Sequence, residues 1–231
     1  MDKKTLILIG AGKGLGNAIA REFAAHDFRV VLMARDRAHL DAYQQEFETE
    51  GFEVYTKVAD AARPETLTAA IHDVVEELGT PDVLVYNVGI TEPDAGREIT
   101  CELMLQRYQI DVASAYHCVN IVATDTFAAK QGAILCTGGA SARTYAATDD
   151  FKVLRMDKAA LNYMCANLHH LLKPKGIFVG TVLIGGAIRP GDPNNDPGVL
   201  AKLYWRMYTE RKEHELMGMS SEYRKAIPAG T

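Results

Sequence analysis

An apolar run, Thr5-Leu6-Ile7-Leu8-Ile9, leads without interruption into Gly10-Ala11-Gly12-Lys13-Gly14-Leu15-Gly16, and a helical stretch opens at Asn17-Ala18-Ile19-Ala20. A glycine-rich loop is a weak signal alone. Between a strand and a helix it reads as a dinucleotide fingerprint. The glycines allow a tight turn and let the backbone approach a pyrophosphate closely. The helix mouth then offers its phosphates unpaired N–H groups and a partial positive charge.

The rest of the chain continues this pattern. Short apolar runs at 6–9, 30–33, 53–58, 83–86, 133–136 and 177–183 are rich in β-branched residues and poor in charge, as buried parallel strands are. Helical stretches separate them: one after Gly16, then 37–50, one that starts at Pro64 and stops at Gly79, 100–129 and 150–172. Such alternation implies right-handed βαβ units. The expected fold is therefore α/β, a Rossmann-type doubly wound parallel sheet with helices on both faces, in a single domain over residues 1–231. From Gly185 the composition changes. A turn-rich loop, Arg189-Pro190-Gly191-Asp192-Pro193, precedes a helical stretch over 199–215 with Tyr204, Trp205 and Tyr208. Residues 186–215 are expected to form a flap on the substrate side.

The end of the second strand selects the cofactor. Sites for NAD place an acid about 20 residues after the glycines, to bind ribose hydroxyls. Here Ala34 takes that place and Arg35 follows, while Lys13 lies inside the glycine loop. The two cations suit a 2′-phosphate, so NADP(H) is expected in preference to NAD(H). Asp36 leaves the other reading open if the register slips by two.

A net charge of -5 argues against a nucleic-acid partner. The four cysteines, Cys101, Cys118, Cys136 and Cys165, show no metal-binding spacing and read as reduced core thiols of a cytoplasmic protein. The first apolar run is too short for a signal peptide, and no run is long enough to span a membrane. The histidines form no metal pattern, and His169 and His170 point to different helix faces.

These features together resemble the short-chain dehydrogenase/reductase family, over most of the chain up to about residue 190. Gly10, Gly14 and Gly16 match the family's three loop glycines, and Ile9 stands where its Thr would be. Asp60 matches its adenine-binding Asp, and Tyr86-Asn87-Val88-Gly89 matches its NNAG motif in two of four positions. The resemblance assigns cofactor contacts to Gly10, Lys13, Gly14, Leu15, Gly16, Arg35, Asp60, Ala61, Asn87, Gly89, Lys158 and Ile188. It also implies a homodimer or homotetramer through the fourth and fifth helices.

The catalytic motif departs from the family. Leu154-Arg155-Met156-Asp157-Lys158 aligns with YxxxK, but leucine replaces the tyrosine. The family's Ser falls at Gly139 and its helical Asn at Asp111. Lys158 lies in the apolar stripe of Leu154, Leu161, Cys165, Leu168 and Leu172, so it should face a polar cleft or a ligand. Leucine cannot donate a proton. Ser141, Tyr145 and Asp111 are the candidate replacements; Asp111 would need burial to raise its pKa. Tyr163 lies about 140° around the helix from Lys158 and faces elsewhere. The expected function is an oxidoreductase that moves hydride between NADP(H) and a small carbonyl or alcohol, with a proton donor other than the usual tyrosine. The alternatives are an inactive NADP(H)-binding regulatory protein and an interaction module that binds no dinucleotide.

Overall fold

The computed structural model describes residues 3–144 and 150–226. Among these, a parallel sheet is built from β1 (Lys4–Ile9), β2 (Phe28–Ala34), β3 (Val54–Val58), β4 (Val83–Tyr86), β5 (Ala133–Gly139), β6 (Phe178–Gly185) and β7 (Glu215–Met219). Their order is β3-β2-β1-β4-β5-β6-β7. The chain turns from one half of the sheet to the other between β1 and β4, which leaves a crevice beyond their carboxyl ends.

Alternation along each strand fills both faces. Leu6, Leu8, Val30 and Leu32 belong to one core cluster, and Ile7, Ile9, Val31 and Met33 to the other. The first core is covered by α1 (Leu15–Ala24), α2 (Arg37–Thr49) and α9 (Pro197–Glu210). The second is covered by α3 (Pro64–Leu78), α5 (Ser114–Val122) and α8 (Lys152–Leu172). Helix boundaries follow their local chemistry. Pro64 sits in the first turn of α3, and Gly79 ends it with φ 81°.

Three expectations need correction. The stretch at 100–129 is not one helix. It divides into α4 (Cys101–Tyr108), a π-helical turn (Gln109–Ala113), α5 and α6 (Asp125–Ala129). Thr124 forces the last break, because its hydroxyl accepts the Phe127 N–H and caps a new helix. The helical part of the expected flap also ends early. Its Leu200, Ala201, Tyr204 and Met207 are buried against the sheet, and Trp205 packs edge-on to Phe23 of α1 at 5.3 Å. Beyond the expected helix the chain forms β7, an edge strand that the charged Glu213-His214-Glu215 run concealed. Lastly, Cys101 is exposed, whereas the other three cysteines are buried free thiols.

Candidate active site

The cleft lies at the carboxyl ends of β1, β2 and β4. It encloses about 240 Å³ and is lined by Gly10, Arg35, Asp60, Asn87, Gly89 and Ile110, among others. The glycine loop is held by contacts that admit no side chain. Gly10 has φ +93°, and a Cβ there would lie 2.3 Å from the Asn87 carbonyl oxygen. A Cβ on Gly16 would lie 2.4 Å from the Gly10 oxygen. Gly14 caps α1 without any side-chain hydrogen bond, so the helix mouth is left to a ligand or solvent. Gly12 and Gly14 have open space where a Cβ would be. Beneath the loop, Asn87 Nδ2 donates to the Gly10 oxygen at 3.0 Å, and Thr137 Oγ1 donates to Asn87 Oδ1 at 2.7 Å. Asn87 therefore ties β4 to both neighbours rather than reaching freely into the cleft.

Asp36 is engaged through one carboxylate oxygen. It is the N-cap of α2, and its Oδ1 accepts the His39 N–H at 2.9 Å. Arg35 lines the cleft at the end of β2, and Lys13 is exposed on the glycine loop. Asp60 keeps its place by accepting the Ala62 N–H at 3.0 Å. Neighbouring Ala61 is buried, with its carbonyl bound by Ser114 Oγ at 2.7 Å. Leu15 is buried in the first turn of α1, and Ile188 is exposed beyond β6. An uncapped helix mouth, a loop open at Gly12 and Gly14, and a cation at the end of β2 fit a phosphorylated dinucleotide.

Behind Val88 and Gly89 of the cleft lie Lys158 and its neighbours. Lys158, only 6% exposed, donates from Nζ to the carbonyls of Val88 at 2.9 Å and Thr137 at 3.0 Å. Burial lowers its pKa, and the Asp111 charge opposes that shift. A Cβ on Gly89 would meet Lys158 Nζ at 3.0 Å, so Gly89 is what admits the ammonium to the cleft wall. At Gly139 a Cβ would stand 2.9 Å from Lys158 Cβ and 3.7 Å from Ser141 Oγ. The lysine stem therefore fills the space beside Gly139, while the Ser141 hydroxyl returns close to it. Leu154 is half-buried one turn before Lys158. Tyr163, at 77% exposure, faces away, as its helical angle requires. Tyr145 lies outside the described residues.

Asp111 sits in the π-turn, a feature that often re-aims side chains at functional sites. It is fully buried, and its Oδ1 accepts the Ile90 N–H at 3.0 Å. Burial raises its pKa, against the opposing pull of Lys158. Sequence reasoning passed over two neighbours. Asp157 is 4% exposed, and its pKa is pushed up to about 6, by burial first and then by the Asp111 charge. Arg107, on α4, forms a buried ion pair with Asp94, whose other oxygen accepts the Val153 N–H at 2.9 Å and so fixes the start of α8. A charged residue at a core position of a helix was the available signal for both.

Among the described residues, no group of His, Cys, Asp and Glu is arranged to hold a metal ion, and no helix is long and apolar enough to cross a membrane.

Comparison with known proteins agrees with this geometry. Hydroxysteroid dehydrogenase-like protein 1 of Gallus gallus is 29% identical over 178 residues, which cover 75% of this chain and 52% of that protein. The chain spans about half the length of the curated relatives it matches most strongly. A metagenomic short-chain oxidoreductase solved in complex with NADP superposes with a TM-score of 0.83 at 21% identity, over 96% of this chain and 99% of that one. The NADPH-bound short-chain oxidoreductase of Pseudomonas aeruginosa PAO1, which contains an atypical catalytic center, superposes with a TM-score of 0.84 at 17% identity, over 94% and 96%. The short chain dehydrogenase family model matches residues 4–189, and the chain belongs to that family.

Proposed function

We propose that the chain is an NADP(H)-dependent oxidoreductase acting on a small carbonyl or alcohol. The observation that carries this reading is the coexistence of an uncapped glycine-loop helix with a buried lysine held directly behind Val88 and Gly89, which line the same cleft. Bound NADPH would supply hydride. The chain's own residues do the rest. The α1 mouth and Arg35 hold phosphates, and charged hydrogen bonds of this kind contribute about 1.5–3 kcal/mol each. Lys158, fixed on two carbonyls, orients the ribose side of the nicotinamide and stabilises negative charge that develops beside it. Leu154 offers no proton, so the donor is another group in this wall. Asp111 and Ser141 both stand close to Lys158. Arg35 at the end of β2, with Asp36 holding the α2 cap through Oδ1, supports NADP(H) over NAD(H).

We further place the protein in the cytoplasm, where buried thiols such as Cys118, Cys136 and Cys165 stay reduced. It works there as a homodimer or homotetramer. Leu105, Tyr108 and Tyr116 on α4 and α5, with Met156 and Tyr163 on α8, leave exposed apolar surface on the helices that would pair.

The alternative, an inactive NADP(H)-binding regulator, is favoured by Leu154 in the Tyr position together with the replaced Ser and Asn positions. Calorimetry with NADPH and NADH, followed by NADPH oxidation across aldehydes, ketones and quinones, decides between them. Binding with turnover supports the enzyme, and tight binding without turnover supports the regulator. No binding of either coenzyme refutes both.

A further inference from the structure

Behind Lys158 the helical wall holds more acid than its bases neutralise. Five charged side chains meet there. They are Asp94 from the loop after β4, Arg107 from α4, Asp111 from the π-turn, and Asp157 and Lys158 from α8. Asp94 and Arg107 satisfy one another. That leaves two carboxylates facing one ammonium. Asp111 Oδ2 and Asp157 Oδ2 are both buried without a hydrogen-bond partner among the described residues. A bare carboxylate in such a place is costly, and two near each other cannot both ionise cheaply. Asp157 lies three residues after Leu154, so it shares a helix face with the position where the family's phenol is missing.

We propose that Asp157 is a positioning residue that stores the site's proton. Together with Asp111 it retains one proton beside Lys158, and Asp111, which packs behind Gly89 of the cleft lining, passes it toward substrate there. This rests on the oxidoreductase reading above. In the reducing direction the carbonyl carbon gains hydride and its oxygen takes the proton released by Asp111. The carboxyl pair, which carried one negative charge, is left with both members ionised and recovers a proton from water. Asp157 itself does not touch substrate; its charge state sets how firmly Asp111 holds its proton. The pKa directions agree with this, since both carboxyls lie above the ordinary range.

The test is a carboxyl titration of the full chain without coenzyme, by NMR of aspartate-labelled protein. Asp157 should titrate near 6 rather than ~4. In the Asp111→Asn variant its midpoint should fall by about one unit. An Asp157 midpoint of ~4 in the unaltered chain, or one that Asp111→Asn leaves unmoved, overturns the proposal. A second arm follows carbonyl reduction against pH. The Asp157→Asn variant should lose the limb near pH 6 and keep the KM for NADPH. A uniform fall in kcat with that limb in place marks a merely structural residue and also overturns it. If the unaltered chain reduces no carbonyl, the function proposed above fails, while the titrations still decide the carboxyl pair.

Discussion

The two walls of the cleft are built from different materials. At residues 10–16 the site is made of backbone: glycine hydrogens, amides and a helix mouth. Behind Val88 and Gly89 it is made of side chains, from Asp111 and from 137–158, where reading the sequence against the family sets Asp111, the neighbourhood of Gly139 and Leu154 against its Asn, Ser and Tyr. Packing couples the first wall to the fold itself. Gly10 and Gly16 touch backbone that belongs to β1 and β4, so any replacement disturbs the sheet. The second wall can change its side chains without moving a strand, as long as volumes stay compatible. A backbone site is thus tied to stability, whereas a side-chain site is free to diverge on the same scaffold.

The sharpest way to break this contrast is Gly10→Ala. A methyl there meets the Asn87 oxygen at 2.3 Å and imposes φ +93° on an L-residue. Chemical denaturation should show a loss of about 3 kcal/mol or more, and coenzyme affinity should vanish with it. Gly12→Ala is the control, because its methyl enters open space at an ordinary φ; stability should stay within about 0.5 kcal/mol. Equal losses at both positions would mean that the loop is not fixed by its contact with β4.

Restoring the family's serine gives the next effect. Gly139→Ser puts a Cβ 2.9 Å from Lys158 Cβ, so α8 or the lysine must shift. A loss of about 1–3 kcal/mol is expected, read by the same denaturation curves. Leu154→Tyr meets no such barrier at a half-buried position, and it should raise carbonyl reduction by tenfold or more if the lysine still orients the coenzyme. Were the serine free and the tyrosine disruptive, this wall would have kept the family's geometry and lost only one group.

This asymmetry also explains what the sequence disclosed. Strand positions, the doubly wound class and the glycine loop follow from local alternation and from glycine's backbone freedom, which are readable residue by residue. The break at Thr124 follows from a cap that its hydroxyl makes, and a longer apolar period masked it. β7 is charged at its start and lies at the sheet's edge, so no apolar run announces it. Arg107 gains meaning only from Asp94, 13 residues away, and Asp94 from Val153, 59 residues away. The capping role of Asp36 likewise shows only in its hydrogen bond to His39.

Arg35→Ala sharpens the cofactor side. Loss of one charged contact should weaken NADPH about tenfold and leave NADH unchanged, as read by calorimetry. An equal loss for both coenzymes would place Arg35 on the shared pyrophosphate instead.

The smallest effect lies far from the cleft, where His169 stacks on His214 at 4.6 Å near the start of β6. His169 Nδ1 bonds the Val179 carbonyl, and burial lowers its pKa, with the His214 charge adding to that. A base whose pKa is lowered by folding binds protons more readily when unfolded. Its contribution to stability is therefore present above 6.5 and lost as pH falls through that value. Asp157 has the opposite sign: its carboxyl binds a proton more tightly when folded, so stability falls as pH rises from 3.8 to about 6. Melting temperature against pH should thus carry two opposed slopes, the His169 window running down from 6.5 and the Asp157 window up from 3.8. His169→Asn should flatten the acid loss near 6.5 by less than about 1 kcal/mol, and Asp157→Asn should flatten only the other slope. If one variant removed both slopes, the cleft wall and the histidine stack would titrate as one unit, and the separation of the active-site wall from the sheet's far end would fail.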